Sequence, residues 1–186
     1  MTIRVLVADD QAMIRGALAG LLDLESDIEV VAQAADGAQA LEELARLAST
    51  DAPARTSAPV DVAIIDVEMP RMDGITATQA IRSRFPGVRV LIVTTFGRPG
   101  YLQRALDAGA TGFMVKDAPV ETLADGVRTV ASGGRAIDQS LALEALSAGS
   151  SPLTDREADV LREVEGGGTI ADIAHSLGLS QGTVRN

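Results

Sequence analysis

The chain has 186 residues and 46% hydrophobic content, enough apolar material for one full core and a small second unit. A net charge of −10 argues against a surface that coats nucleic acid broadly, zero cysteines exclude disulfide frameworks and thiolate metal sites, and one histidine leaves little for zinc. No apolar run approaches the roughly 18 residues of a membrane span, so the expectation is a cytoplasmic chain without membrane insertion.

Residues 1–133 alternate between two patterns. Residues 3–8 form a short apolar run, and 12–22 follow with Met13, Ile14, Ala17, Leu18, Leu21 and Leu22 at helical spacing. Residues 28–33 read as a second strand and 37–48 as a helix with Leu41, Leu44 and Leu47 inward, whereas 49–59, rich in Ala, Pro, Ser and Thr without periodicity, read as a loop. Strands at 60–65, 88–93 and 111–115 then alternate with helices near 74–84, 99–108 and 119–133. The last helix carries Val120, Leu123, Ala124, Val127, Val130 and Ala131 on one face. Short Val- and Ile-rich runs separated by helices are the pattern of buried parallel strands. The expected fold is therefore α/β, with a five-stranded, parallel, doubly wound sheet.

Gly133-Gly134 closes that region, and 134–151 read as a linker with a short helix at 140–148. Residues 152–186 read as an incomplete all-α unit. Thr154 with Glu157, and Thr169 with Asp172, have capping-box spacing, and Ser180 is suited to cap a third helix. Leu177-Gly178-Leu179 supplies a turn between the last two, giving a helix-turn-helix.

The strands end on Asp9 and Asp10, on Asp66, on Thr94 and on Lys116. In open parallel sheets the ligand crevice lies beyond the carboxyl ends of the strands, so the topology gathers these residues into one cluster. Singly, each has an ordinary explanation: acids at a first helical turn favour the helix dipole, and a strand-end threonine or a solvated lysine is commonplace. Together they point to magnesium-dependent phosphoryl transfer. A carboxylate can carry a phosphoryl group as an aspartyl phosphate, and the loose transition state leaves positioning and charge neutralisation to do most of the catalysis. Mg2+ takes one or two carboxylates and keeps positions for water and phosphate oxygens. Asp10 and Asp66 would supply those ligands, with Asp9 acting through a water. Lys116 would pair with one phosphate oxygen while the Thr94 hydroxyl donates to another.

Asp9-Asp10-Gln11, the segment from Asp66 through Glu68, Met69, Pro70 and Asp73 to Gly74, and Thr94 and Lys116 resemble the receiver domain of bacterial two-component response regulators. The resemblance implies Asp66 as phosphoacceptor, Asp9 and Asp10 as the acidic pair, and the Glu68 main-chain carbonyl as a further Mg2+ ligand. It implies Thr94 and Phe113 as a switch pair, Lys116 as the phosphate-binding lysine, and a sensor histidine kinase as donor. No enzymatic activity is expected beyond phosphotransfer to itself and slow autodephosphorylation. Many receivers have proline after the lysine, commonly in a cis bond; this chain has Asp117 there and Pro119 two places later.

Leu153 to Glu157, Val160-Leu161, Ile173-Ala174, Leu177 to Ser180 and Gly182 to Asn186 resemble the helix-turn-helix domain of the NarL/LuxR class. This implies a recognition helix near Ser180 that presents Gln181, Thr183, Arg185 and Asn186 to promoter DNA, where an arginine can meet a phosphate or a guanine edge. It also implies a homodimer on phosphorylation. The motifs at 94–104 and 152–157 resemble a subgroup paired with membrane-fluidity-sensing kinases, which implies lipid-desaturation genes as targets. Pairing through the first and fifth helices is implied as well, with Arg15, Gly16 and Ala19 as candidates. The chain stops at Asn186, about two turns into the recognition helix, and residues 152–186 hold three arginines against six carboxylates. The expectation is a truncated unit with impaired DNA binding.

Two other classes stay open. A haloacid-dehalogenase-like phosphatase would place its nucleophile at the first strand end in an Asp-x-Asp arrangement, where this chain has Asp-Asp-Gln. A phosphorylation-independent interaction module would keep the site and act by protein contacts alone.

Overall fold

The computed structural model describes residues 2–51, 58–95, 100–138, 141–142 and 169–176. These fall into two compact units, one within 1–147 and one within 148–186. The first unit runs β1 (Ile3–Ala8), α1 (Ala12–Leu22), β2 (Ile28–Ala34), α2 (Gly37–Asp51), β3 (Val62–Ile65), α3 (Gly74–Arg84), β4 (Arg89–Thr94), α4 (Tyr101–Asp107), β5 (Gly112–Val115), α5 (Val120–Ala131) and β6 (Ala136–Ile137). All strand pairs are parallel and the order is β2-β1-β3-β4-β5-β6.

Successive side chains of a strand point to opposite faces, and here both faces are covered. Leu6, Ala8, Ala63, Ile65, Val90, Ile92 and Phe113 pack with Leu41 and Leu44 of α2, Ile75 and Ile81 of α3, and Leu102 of α4. Val5, Val7, Val62, Ile64, Leu91, Val93 and Met114 pack with Leu22 of α1 and Leu123, Val127 and Val130 of α5. Burial on both sides is why the central strands read as unbroken apolar runs.

Three features depart from the sequence reading. First, the five expected strands are joined by β6, whose Ala136 and Ile137 pair with Gly112 and Phe113. Asp138 N then donates to Phe113 O at 3.0 Å, and Leu141 is buried in the same core. Two residues carry no detectable periodicity, so this edge strand was invisible to pattern. Second, α2 continues to Asp51 through residues expected to form a loop. Ser49 Oγ donates to Arg46 O at 2.8 Å, and Arg46 pairs with Glu43 one turn back at 2.7 Å. Third, Ala19 is buried rather than displayed on the α1 surface.

In the second unit the described segment is α6 (Ile170–Ser176) with the residue before it. The expected capping box is formed: Asp172 N donates to Thr169 Oγ1 at 3.3 Å, and Thr169 N donates to Asp172 Oδ2 at 3.0 Å. Thr154, Glu157, the turn at 177–179 and Ser180 lie outside the described residues.

Candidate phosphoacceptor site

Strand register builds the site. Ala8 is level with Ile65, so Asp9 and Asp66 leave the sheet together, while β4 and β5 run two residues further along the same edge, to Thr94 level with Val115, before Lys116 follows. Three main-chain bonds hold those exits: Asp9 N to Ala34 O at 3.0 Å, Asp66 N to Ala8 O at 2.9 Å, and Lys116 N to Thr94 O at 2.8 Å. No cis peptide bond occurs among the described residues, the one after Lys116 included.

Lys116 Nζ lies 2.7 Å from Asp9 Oδ2 and 2.9 Å from Asp66 Oδ2, with all three side chains no more than 5% exposed. Asp10, which is exposed, completes a group whose carboxylate oxygens come within 4.8 Å of one another. The other carboxylate oxygens are committed locally. Asp66 Oδ1 accepts from Val67 N at 2.7 Å, and Asp9 Oδ1 from Gln11 N at 2.9 Å. Lys116 is the only lysine in the chain, every other permanently basic side chain being arginine. A compact ammonium with three donors can meet two carboxylates at once. That exception was a signal in the sequence that pattern reading passed over.

Three carboxylates gather where one ammonium pairs with two of them, and the electrostatics follow from that surplus. Burial pushes the Asp66 carboxyl above its ordinary value; Lys116 opposes the rise and Asp9 adds to it. Burial alone would lower Lys116, but its pairing with the Asp9 and Asp66 carboxylates prevails and holds it above its ordinary value. The buried Asp9 Oδ2 and Lys116 Nζ have no hydrogen bond of good geometry and meet only as charges. An all-oxygen donor set with excess negative charge and an incompletely satisfied buried oxygen fits a hard divalent cation.

The loop after β3 is shaped around Asp66. Gly74 N donates to Val67 O at 2.9 Å, and a Cβ on Gly74 would stand 1.9 Å from Asp66 O, so only glycine allows the chain to fold back this closely. Asp73 then caps α3, its carboxylate accepting from Ile75 N and Thr76 N at 2.9 Å each. Glu68 is exposed and accepts from the buried Tyr101 hydroxyl at 3.3 Å, a contact between the loop and α4 that no sequence spacing announced. Thr94 is buried at the end of β4, while Phe113 is fully enclosed in the core at β5. Arg71, from the same loop, pairs with buried Asp36 at the start of α2, another contact the sequence reading missed. Only the Asp36-x-x-Gln39 spacing hinted that Asp36 caps that helix. Gln181, Thr183, Arg185 and Asn186 lie outside the described residues. Among the described residues, no helix is long and apolar enough to cross a membrane.

A doubly wound sheet in this order, with an acidic cluster and one lysine beyond its carboxyl ends, defines the class of receiver domains. The comparisons agree: the response regulator receiver domain matches residues 5–128, and the bacterial regulatory proteins of the luxR family match residues 151–186. The chain belongs to the response regulators that join a receiver to a LuxR-type DNA-binding domain. The Bacillus subtilis (strain 168) transcriptional regulatory protein DesR is 40% identical over 184 residues, covering 99% of this chain and 85% of that protein. YvfU of the same strain is also 40% identical over 184 residues, covering 99% and 86%. Among solved structures, the response regulator ChrA of a heme-sensing two-component system superposes with a TM-score of 0.63 at 33% identity, covering 99% of this chain and 85% of that one. The signal receiver domain of NarL from Mycobacterium tuberculosis gives 0.61 at 34% identity, covering 71% and 98%.

Proposed function

We propose that Asp66 accepts a phosphoryl group from a sensor histidine kinase and that the resulting aspartyl phosphate switches the chain from one conformation to another. In that transfer a carboxylate oxygen of Asp66 forms a bond to phosphorus as the phosphorus–nitrogen bond of the donor breaks, and the imidazole leaves with the electron pair. The observation that carries the reading is the placement of Lys116 Nζ 2.7 Å from Asp9 and 2.9 Å from Asp66 beside Asp10. Asp9, Asp10, Asp66 and the Glu68 main-chain carbonyl would hold Mg2+, which neutralises charge on the transferring oxygens. Lys116 and the Thr94 hydroxyl then take phosphate oxygens, and Phe113 answers the movement of Thr94 from within the core. Slow autodephosphorylation resets the switch.

The output in this reading is a homodimer that brings two helix-turn-helix units to promoter DNA through Gln181, Thr183, Arg185 and Asn186. The α1 surface supports pairing: Met13 is 85% exposed, with Gly16, Ala17, Gly20 and Leu21 also exposed, and Leu24, in the turn after the helix, is 80% exposed. Lipid-desaturation genes are the targets suggested by the subgroup motifs.

Incubation with acetyl phosphate and Mg2+, followed by intact mass and oligomer size, tests the reading. Wild type is expected to gain one phosphoryl mass and shift toward dimer, with Asp66→Ala doing neither. A wild type that gains no mass and keeps its oligomeric state would instead make the chain a phosphorylation-independent interaction module.

A further inference from the structure

The loop between β3 and α3 contains a strained turn. Arg71 has a φ of 62°, the one positive value at a residue other than glycine among the described residues, and Met72 N donates across it to Pro70 O at 2.6 Å. A hydrogen bond spanning one residue of positive φ is the rarer, strained form of γ-turn, and side chains other than glycine resist that conformation. Strain of this kind persists only where surrounding contacts over-determine it.

Here the contacts come from the start of α2. The Arg71 guanidinium donates to Asp36 Oδ2 through Nε at 2.7 Å and also through Nη2. Gly37 N donates to Met72 O at 3.1 Å, so backbone and side chain tie the turn to the same place. Asp36 is a fixed anchor. It is buried, and its Oδ1 accepts from Ala38 N at 2.9 Å and Gln39 N at 3.0 Å, which caps α2. Burial would raise its carboxyl, but the Gln39 amide and Arg71 outweigh that and hold it below the ordinary value. The loop is therefore gripped at its root, where Gly74 meets Val67 and Asp66, and again at its turn. Glu68 lies between the two grips.

We propose that the Asp36–Arg71 pair is a positioning clamp for the phosphoacceptor loop, holding the strained turn against α2 so that the segment from Asp66 to Glu68 keeps the orientation that serves a divalent cation and a phosphoryl group. An exposed arginine on a surface acid contributes little. This arginine is 62% exposed, but its partner's side chain is only 3% exposed and is already committed to a helix start. The inference rests on the phosphoacceptor reading of Asp66, yet its first readout, cation affinity, does not require that Asp66 accept phosphate.

The test compares full-length wild type with Arg71→Gly, Arg71→Ala, Arg71→Lys and Asp36→Asn. Three quantities are followed: Mg2+ affinity by calorimetry, amide hydrogen exchange over residues 67–74, and the initial rate of phosphoryl gain from acetyl phosphate. Arg71→Gly is the decisive arm, because glycine accepts the positive φ while its extra freedom in the unfolded chain offsets that relief. Global stability then stays near wild type with the clamp gone. Loss of an outer partner typically weakens a metal site by about 10–100-fold, and we expect about tenfold weaker Mg2+ binding in Arg71→Gly, Arg71→Ala and Asp36→Asn, with faster exchange confined to 67–74. Arg71→Lys, which keeps the charge and loses the fork, should fall between them and wild type.

An Arg71→Gly chain that binds Mg2+ within about twofold of wild type, with unchanged loop exchange, overturns the clamp even if Arg71→Ala is less stable, since a surface staple would behave that way. If wild type binds the cation but gains no phosphoryl mass, the phosphoacceptor reading fails and affinity and exchange decide the clamp. A wild type that neither binds nor gains mass overturns both.

Discussion

Replacing Lys116 with methionine removes the ammonium that pairs with Asp9 and Asp66, and the cost can be worked from the geometry. One carboxylate oxygen of Asp9 and one of Asp66 lie within 4.8 Å of each other. At an effective dielectric of about 20, two charges at that separation repel by about 3.5 kcal/mol. The chain could instead protonate one carboxyl, but raising an acid of ordinary value near 3.9 to neutrality at pH 7 costs about 4 kcal/mol. Both routes agree with the roughly 3–5 kcal/mol lost when a buried ion pair is broken on one side. We therefore expect Lys116→Met to lower unfolding free energy by about 3 kcal/mol in EDTA at pH 7, read by urea denaturation with far-UV circular dichroism. Mg2+ at about one hundred times its Kd adds about 2.7 kcal/mol to the variant, which should bring it close to the stability of metal-free wild type. The deficit should also shrink as acid protonates the carboxylates, and Lys116→Met/Asp66→Asn should be more stable than Lys116→Met alone. A loss below about 1 kcal/mol in EDTA, or one unchanged by Asp66→Asn, would refute the argument that the lysine neutralises this pair.

Asp66→Asn alone should raise the melting temperature in metal-free buffer at pH 7. The folded carboxyl is held above its ordinary value, so its contribution to stability is complete below the unfolded value and is lost as pH rises through the folded one; scanning calorimetry should show the gain of the Asn variant vanish in acid. Gly74→Ala forces a Cβ to 1.9 Å from Asp66 O, and because main chain must move, a loss of about 1–3 kcal/mol is expected together with loss of phosphoryl gain. Wild-type mass gain in that variant would show that the close approach is dispensable. Arg128 donates to Asp27 at 2.7 and 2.9 Å and to Glu25 at 2.6 Å, joining α5 to the turn before β2. The bond from Arg128 lowers the Asp27 carboxyl, so this stabilisation is present above the unfolded value and lost as pH falls through the folded one. Arg128→Gln should lower the melting temperature at pH 7 by an amount that declines in molar salt and disappears in acid.

The parallel sheet and the cluster at its carboxyl ends were legible in the chain because each rests on a local signal. Double-sided burial writes itself as Val- and Ile-rich runs, and the polar residue ending each run marks where the strand leaves the core. Thr169 with Asp172 was legible for the same reason, since a capping box is closed within four consecutive residues. Contacts between separate segments were not. Asp36 meets Arg71, Glu68 meets Tyr101, and Arg128 meets Glu25 and Asp27 only after the sheet has set which loops lie side by side. Edge strand β6 is two residues that become a strand because β5 offers free pairing groups. The sequence by itself determined which residues arrive at the crevice. Tertiary structure decided which charges touch there, because Lys116 can bridge Asp9 and Asp66 only when the register of β1, β3, β4 and β5 brings three distant strand ends to the same edge of the sheet, with β5 running two residues past β1 and β3.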